Sequence, residues 1–297
     1  LVALLADGNA SDKKKVAALL ARLSSSEANQ LAIAASSGIH VLVKLLRGGS
    51  HSEKTNAALI LARMSVSKEN KTAIAMAGGI PVLVELMHRG NGSQKENAVS
   101  TLFNLCMNGN NRVKVVAGDA ITPLVTLVRD GSSVQKEKAA GVLASLAISV
   151  ESQVAITAAH AIHPLVQLVR FGSVGERVNA LSALWTLSSN DSAKKVIVAA
   201  GGIPALVKQL RDVGDYRIEV ATGTLWNLST VVKNRVAIAS AGAIPLLIER
   251  LRRGTSVHKL RAAGCLANLA TVSECQHAIV IGGGVAPIVA LLKRGSV

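Results

Sequence analysis

His160 and His163 stand in an H-x-x-H spacing, the pattern with which two imidazoles on one helix face hold a divalent metal. They straddle a turn into a helix and bring no carboxylate with them, so no metal site is expected there. Gly282-Gly283-Gly284 would cradle a phosphate only if a strand preceded it and a Lys followed. Neither is present, and the run reads as a helix-to-helix turn. The three cysteines, Cys106, Cys265 and Cys275, lack metal-ligand spacing and are too irregular for a disulfide framework. Cys265 shares a column at the edge of the core with Ala183 and Thr224, a poor setting for a nucleophile. The expectation is a protein without catalysis, cofactor or metal. Charge offers a different chemistry. Thirty-three Lys plus Arg against eighteen Asp plus Glu give a formal charge of +15, which favours acidic partners. Much of it recurs in register. Lys13, Lys54, Lys95, Lys136, Arg177 and Lys259 form one column, with Ile218 the exception, and Arg47, Arg129, Arg170, Arg211, Arg252 and Lys293 form another.

The elements that position these side chains repeat with a fixed period. Gly38-Ile39, Gly79-Ile80, Ala120-Ile121, Ala161-Ile162, Gly202-Ile203, Ala243-Ile244 and Gly284-Val285 align, each about 41 residues after the last. A period of this length belongs to stacked helical repeats. Partial repeats at 1-26 and 273-297 flank six full ones at 27-67, 68-108, 109-149, 150-190, 191-231 and 232-272, read together as one domain over 1-297. Within each repeat a short first helix ends at small residues or Gly, where a left-handed cap costs little. All six prolines fall in adjacent columns at the start of the second helix, where the missing N–H is harmless. The second basic column ends that helix, as the dipole favours, whereas the first opens the third helix against the dipole. The third helix carries Leu20, Leu61, Leu102, Leu143, Leu184, Leu225 and Leu266, with Ala57, Ala98, Ala139, Ala180, Ala221 and Ala262 four residues earlier. That spacing puts them on one core-facing stripe. With aromatics at only 2%, the core must be aliphatic side chains on closely packed helices.

Over essentially all 297 residues the sequence resembles the armadillo family. The resemblance is carried by Ala-Gly-Gly-Ile-Pro-Val-Leu-Val at 77-84, Ala-Gly-Gly-Ile-Pro-Ala-Leu-Val at 200-207, and third-helix segments such as Thr101-Leu102-Phe103-Asn104-Leu105 and Thr224-Leu225-Trp226-Asn227-Leu228-Ser229. The third-helix pattern is most similar to the armadillo region of plant U-box ubiquitin ligases and of vacuolar armadillo-type proteins. The implied fold is all-α, a right-handed α-solenoid of 41-residue three-helix armadillo repeats. The implied work is scaffolding: the family's third helices line a concave groove in which a ladder of Asn side chains clamps the backbone of an extended peptide. A carboxamide suits that role because it donates and accepts at once. The matching column reads Arg22, Arg63, Asn104, Ser145, Thr186, Asn227 and Asn268. Seven residues earlier, on the same face, stand Lys15, Asn56, Asn97, Lys138, Asn179, Val220 and Arg261.

Six Asn on one face favour a peptide groove over ordinary solvated polarity. Lys15, Arg22, Arg63, Lys138 and Arg261 make its expected ligand acidic or phosphorylated. Import-receptor grooves place Trp four residues before the Asn, but Ala18, Leu59, Ser100, Gly141, Ser182, Gly223 and Gly264 stand there, so no indole slots are expected. Phe103, Trp185 and Trp226, just before the ladder, are either packing or binding hot spots. Two other settings stay open. One is substrate recognition in a U-box-type ubiquitin ligase, although no U-box is visible in these residues. The other is an anionic surface, nucleic acid or lipid: the first lacks stacking aromatics, and the second needs an anchor outside this sequence. Cysteine usage points to a reducing, cytoplasmic or nuclear location. Charges, Gly or Pro interrupt every apolar run, so a soluble chain is expected. It begins without Met and reads as a piece of something longer, whose truncated ends expose apolar surface for a cap or a second copy.

Overall fold

The computed structural model describes residues 1–211 and 214–294, apart from the side chains of 292 and 294. Positions 212 and 213 of the fifth full repeat and 295–297 of the final partial one lie outside the described residues. Among the described residues every regular element is a helix. The third helices begin at Ala10, His51, Gly92, Ser133, Val174, Asp215 and Ser256, one period apart throughout.

The chain forms two compact units, Leu1–Leu146 and Ala147–Val297. In unit 1 the third helices Ala10–Leu23, His51–Met64, Gly92–Leu105 and Ser133–Leu146 lie side by side in one layer. The second helices Gly38–Gly48, Gly79–Arg89 and Ile121–Asp130 pack against them, and the short first helices Glu27–Ala35, Lys68–Met76 and Gly109–Ala117 close the edge. Unit 2 repeats the plan. Its third helices are Val174–Leu187, Asp215–Ser229 and Ser256–Leu269, backed by Ile162–Phe171, Gly202–Gln209, Ala243–Arg253 and Val285–Arg294. Each unit is therefore an α-solenoid of three-helix repeats.

The Leu stripe is what these layers bury. Leu61, Leu102, Leu143, Leu184 and Leu225 are fully sealed, each contributing about 1.5–3 kcal/mol relative to an exposed side chain. The Ala column beneath it is equally buried from Ala57 to Ala262, which lets helices approach closely. Each turn from first to second helix places one residue in the left-handed region: Ser37, Gly78, Asp119, His160, Gly201, Gly242 and Gly283, with φ between 56° and 82°. His160 thus occupies a turn position that four other repeats give to Gly, which accounts for half of the H-x-x-H spacing.

The third-helix starts carry a device absent from the sequence reading. Ser50 with Glu53, Asn91 with Gln94, Ser132 with Gln135, Ser173 with Glu176 and Thr255 with His258 form reciprocal capping boxes. Where the inner member can donate, it also reaches one repeat back. Gln94 Nε2 bonds the His51 carbonyl at 3.0 Å, Gln135 Nε2 the Gly92 carbonyl at 2.7 Å, and His258 Nε2 lies 3.0 Å from the Asp215 carbonyl. One buried side chain thus satisfies its own helix terminus and ties two third helices together.

Candidate functional site

Apart from the exposed Arg22, the ladder side chains sit half-buried at the seam between successive third helices, and most are held by the preceding repeat. Asn104 Nδ2 donates to Ser65 Oγ, Asn227 Nδ2 to Ser188 Oγ and Asn268 Nδ2 to Ser229 Oγ, each at 2.9 Å. Arg63 takes the same place with Nη1, bonding Ser24 Oγ at 3.1 Å and the Ala21 carbonyl. These serines spend their own protons on the turn before them: Ser65 on the Ala62 carbonyl, Ser188 on Trp185 and Ser229 on Trp226. Their oxygens can then only accept, which dictates that the amide presents Nδ2. The Oδ1 and the second N–H of Asn104, Asn227 and Asn268 are left without a protein partner among the described residues.

The serine decides what the ladder residue does. Ser24, Ser65, Ser188 and Ser229 each stand 39 residues before a donor, Arg63, Asn104, Asn227 or Asn268. Cys106 and Ala147 stand there before Ser145 and Thr186 and offer no hydroxyl. Ser145 Oγ turns back to the Gly141 carbonyl at 3.0 Å, and Thr186 Oγ1 to the Ser182 carbonyl at 2.9 Å. These two positions present no carboxamide.

The aromatics fill a gap made one repeat later. A Cβ on Gly264 would lie 2.4 Å from Trp226 Cε2, and one on Gly223 would lie 3.0 Å from Trp185 Nε1. Both glycines stand four residues before a ladder Asn, in the column expected to lack indoles. No Trp stands in the column itself, but indole surface packs against it from the preceding third helix, because the missing Cβ admits a ring from the neighbour. The pairing is written in the sequence. Phe103 and Gly141, Trp185 and Gly223, and Trp226 and Gly264 are each 38 residues apart, whereas Ala21, Ala62 and Ala144 are followed at that distance by Leu59, Ser100 and Ser182.

The cations of this face divide into two groups. Lys15 and Arg22 are exposed. Lys138 and Arg261 are partly buried and paired within the protein. Lys138 Nζ lies 2.7 Å from Glu137 Oε1 and 5.1 Å from the centroid of Phe103. Arg261 lies 4.3 Å from the centroid of Trp185, with Nη2 2.9 Å from Glu219 Oε1 and Nη1 bonding the Glu219 carbonyl at 3.0 Å. Asn56, Asn97 and Asn179 are half-buried on the same layers, and Val220 is buried. Unit 1 thus gathers Lys15, Arg22, Asn56, Arg63, Asn97, Phe103, Asn104 and Lys138. Unit 2 gathers Asn179, Trp185, Trp226, Asn227, Arg261 and Asn268. Sequence reading passed over Glu137, Glu219 and the acceptor serines and took Gly223 and Gly264 only as positions lacking indoles; their signal is a pairing at a fixed distance rather than a residue type.

The two other basic columns meet at the opposite ends of these helices. Arg47 and Lys54 line a cleft of ≈ 580 Å³ with His51, Arg89 and Gln94, and Arg252 and Lys259 line its counterpart of ≈ 420 Å³ in unit 2. Arg252 Nη2 donates to the Gly283 carbonyl at 3.0 Å, and Arg47 approaches Gly78 in the equivalent turn. This column braces the left-handed turn of the next repeat. Burial pushes the thiols of Cys106 and Cys265 up to about 12, against the pull of Arg112 and of the Ser229 hydroxyl respectively. Neither is a thiolate at neutral pH. Among the described residues no single helix is long and apolar enough to cross a membrane, although three bent helix pairs meet the length and composition of a broken span.

Comparison with known proteins agrees with this geometry. Residues 1–126 match the model of the plant U-box protein ARM repeat region, and residues 190–230 match that of the armadillo/beta-catenin-like repeat. No curated protein is significantly similar in sequence. Among solved structures, an engineered protein is 30% identical, with 98% of this chain and 72% of that one aligned at a TM-score of 0.86. A designed armadillo repeat protein in complex with the peptide (KR)4 is 23% identical over 78% of this chain and 99% of its own, with a TM-score of 0.68. A structure from a study of a phosphorylation switch in the cadherin–beta-catenin interaction is 20% identical. It aligns with 99% of this chain and 56% of its own at a TM-score of 0.90.

Proposed function

Because this chain belongs to the armadillo-repeat family, we propose that it is a protein-binding scaffold whose third-helix layers hold an extended segment of a partner, one rich in acidic or phosphorylated side chains. The observation that carries this reading is the state of the ladder amides. Serine acceptors hold Asn104, Asn227 and Asn268 in one orientation, each with a carbonyl oxygen and an N–H still to be used. A backbone peptide unit offers the matching donor and acceptor whatever its side chain. Preorganised amides also lose little rotamer freedom on binding. The exposed Lys15 and Arg22 and the formal charge of +15 favour anionic side chains along the segment.

The test is a titration of length-matched acidic, phosphorylated and basic fluorescent peptides at physiological salt. Tighter binding of the acidic or phosphorylated peptide is the expected result, and preference for the basic one would overturn it. A DNA mobility shift or sedimentation with anionic vesicles at the same salt, if stronger than peptide binding, would replace the peptide reading with an anionic-surface one. The match of residues 1–126 favours substrate selection in a ubiquitin ligase as the setting. Ubiquitination of a captured partner by a fusion of this chain to a U-box tests that setting.

A further inference from the structure

We propose that Glu219 is a built-in competitor at Arg261, so that unit 2 admits a ligand carboxylate or phosphate at that guanidinium only when it displaces the Glu219 side chain. The proposal rests on the peptide-binding reading above and adds a selection step to it.

Arg261 is held from three sides. Its guanidinium stacks on Trp185 at 4.3 Å, Nη1 bonds the Glu219 carbonyl at 3.0 Å, and Nη2 meets Glu219 Oε1 at 2.9 Å. Gly223 makes the meeting of cation and ring possible, since a Cβ there would lie 2.8 Å from Arg261 Nη1 and 3.0 Å from Trp185 Nε1. Of these three holds only the carboxylate is dispensable. Ring and carbonyl keep the guanidinium in place if the Glu219 side chain swings away. Glu219 is 30% exposed against 13% for Arg261, so its carboxylate can move into water while the cation stays fixed. Glu219 Oε1 engages a single nitrogen, leaving several of the five guanidinium N–H groups unspent, and no Arg261 nitrogen is both buried and unpartnered. A carboxylate or phosphate on a bound segment, forming two parallel bonds, would therefore outcompete the single-point internal partner.

Unit 1 reaches the same grouping by a different route. Phe103 and Glu137 occupy the places of Trp185 and Glu219, two repeats earlier in each case. The cation there is Lys138, from the same helix as Glu137. In unit 2 that place is Val220, and the cation arrives from the next third helix as Arg261. A ring, a cation over it and a carboxylate on the cation are assembled in both units although the cation has changed position, so the grouping is not a by-product of the repeat.

The experiment uses the full 297-residue chain with fluorescein-labelled octaglutamate and octalysine, read by anisotropy at low salt. Glu219→Gln should tighten octaglutamate binding roughly three- to fivefold, the scale of one partly exposed ion pair, without tightening octalysine. Adding Arg261→Lys, which keeps the charge but removes the planar fork, should abolish most of the gain. If Glu219→Gln leaves octaglutamate affinity unchanged or weaker while an Asn227→Ala, Asn268→Ala variant loses it, the competitor is overturned and the groove stands. If neither variant alters binding, both are overturned. Circular dichroism of each variant excludes misfolding as the cause.

Discussion

The third-helix faces of the two units are built from one repeat and do different chemistry. Unit 1 presents Lys15, Arg22, Arg63 and Lys138 around Asn56, Asn97 and Asn104, with Phe103 as its one ring at the ladder. Unit 2 presents Trp185 and Trp226 beside Asn227 and Asn268, and its ladder-side cation, Arg261, is already matched by Glu219. In unit 1 two of the four cations, Lys15 and Arg22, are exposed, and rings are scarce. In unit 2 rings and amides dominate and the charge is shielded. A solenoid can therefore vary its ligand chemistry without altering the helices that present it, provided each change is compensated one repeat away.

The largest expected effect tests that compensation. Gly264→Val should destabilise the protein by about 1–3 kcal/mol, because the new side chain must displace the Trp226 indole from a filled seam. Ser100→Ala in unit 1, which follows Ala62 rather than a ring in the same register, should shift denaturant midpoints by the equivalent of less than about 0.5 kcal/mol. Equal losses for the two would show that the rings are not what the glycines serve.

Next in size is the contrast between the amide sets. Removing both Asn227 and Asn268 should weaken an acidic peptide by about tenfold, near 1.4 kcal/mol for two hydrogen-bonding groups. Asn104→Ala alone should cost about threefold, by the same titration.

The clasp can be broken or installed. Ser188→Ala leaves the half-buried Asn227 amide without its acceptor, and a loss of about 1 kcal/mol in chemical denaturation is expected. Ala147→Ser with Thr186→Asn supplies both halves where the chain lacks them, and the pair should exceed the sum of its single changes by about 0.5–1 kcal/mol. Strict additivity would mean that the serine does not orient the amide.

The smallest difference should lie between two buried thiols, one taken from each unit. Cys106 and Cys265 should both resist alkylation at pH 8 in the folded protein and react once it is unfolded. Their folded values lie above the ordinary 9.0, so the folded state keeps protons that the unfolded state releases. That contribution is complete below pH 9 and is lost as pH rises from 9 towards 12. A denaturation midpoint that climbs over this interval would contradict it.

The chain by itself determined the repeat, the helix limits, the Leu and Ala stripes, the left-handed turns and the columns from which a binding face could be drawn. These follow from local rules, the 3.6-residue period and the chemistry of helix ends, which act over a few residues and are restated at every period. The partners of the face were decided only in three dimensions. Asn227 could have been a free amide, Arg261 a free cation and Gly223 an ordinary weak point in a helix. Their roles depend on how closely and at what rotation neighbouring third helices pack, and the decisive contacts join residues 38 to 42 positions apart. The pairings of Ser with Asn and of ring with Gly were already written in the chain. They acquired meaning once the packed layer brought each serine under an amide and each ring over a missing Cβ, because hydrogen bonds and ring contacts act only at van der Waals range.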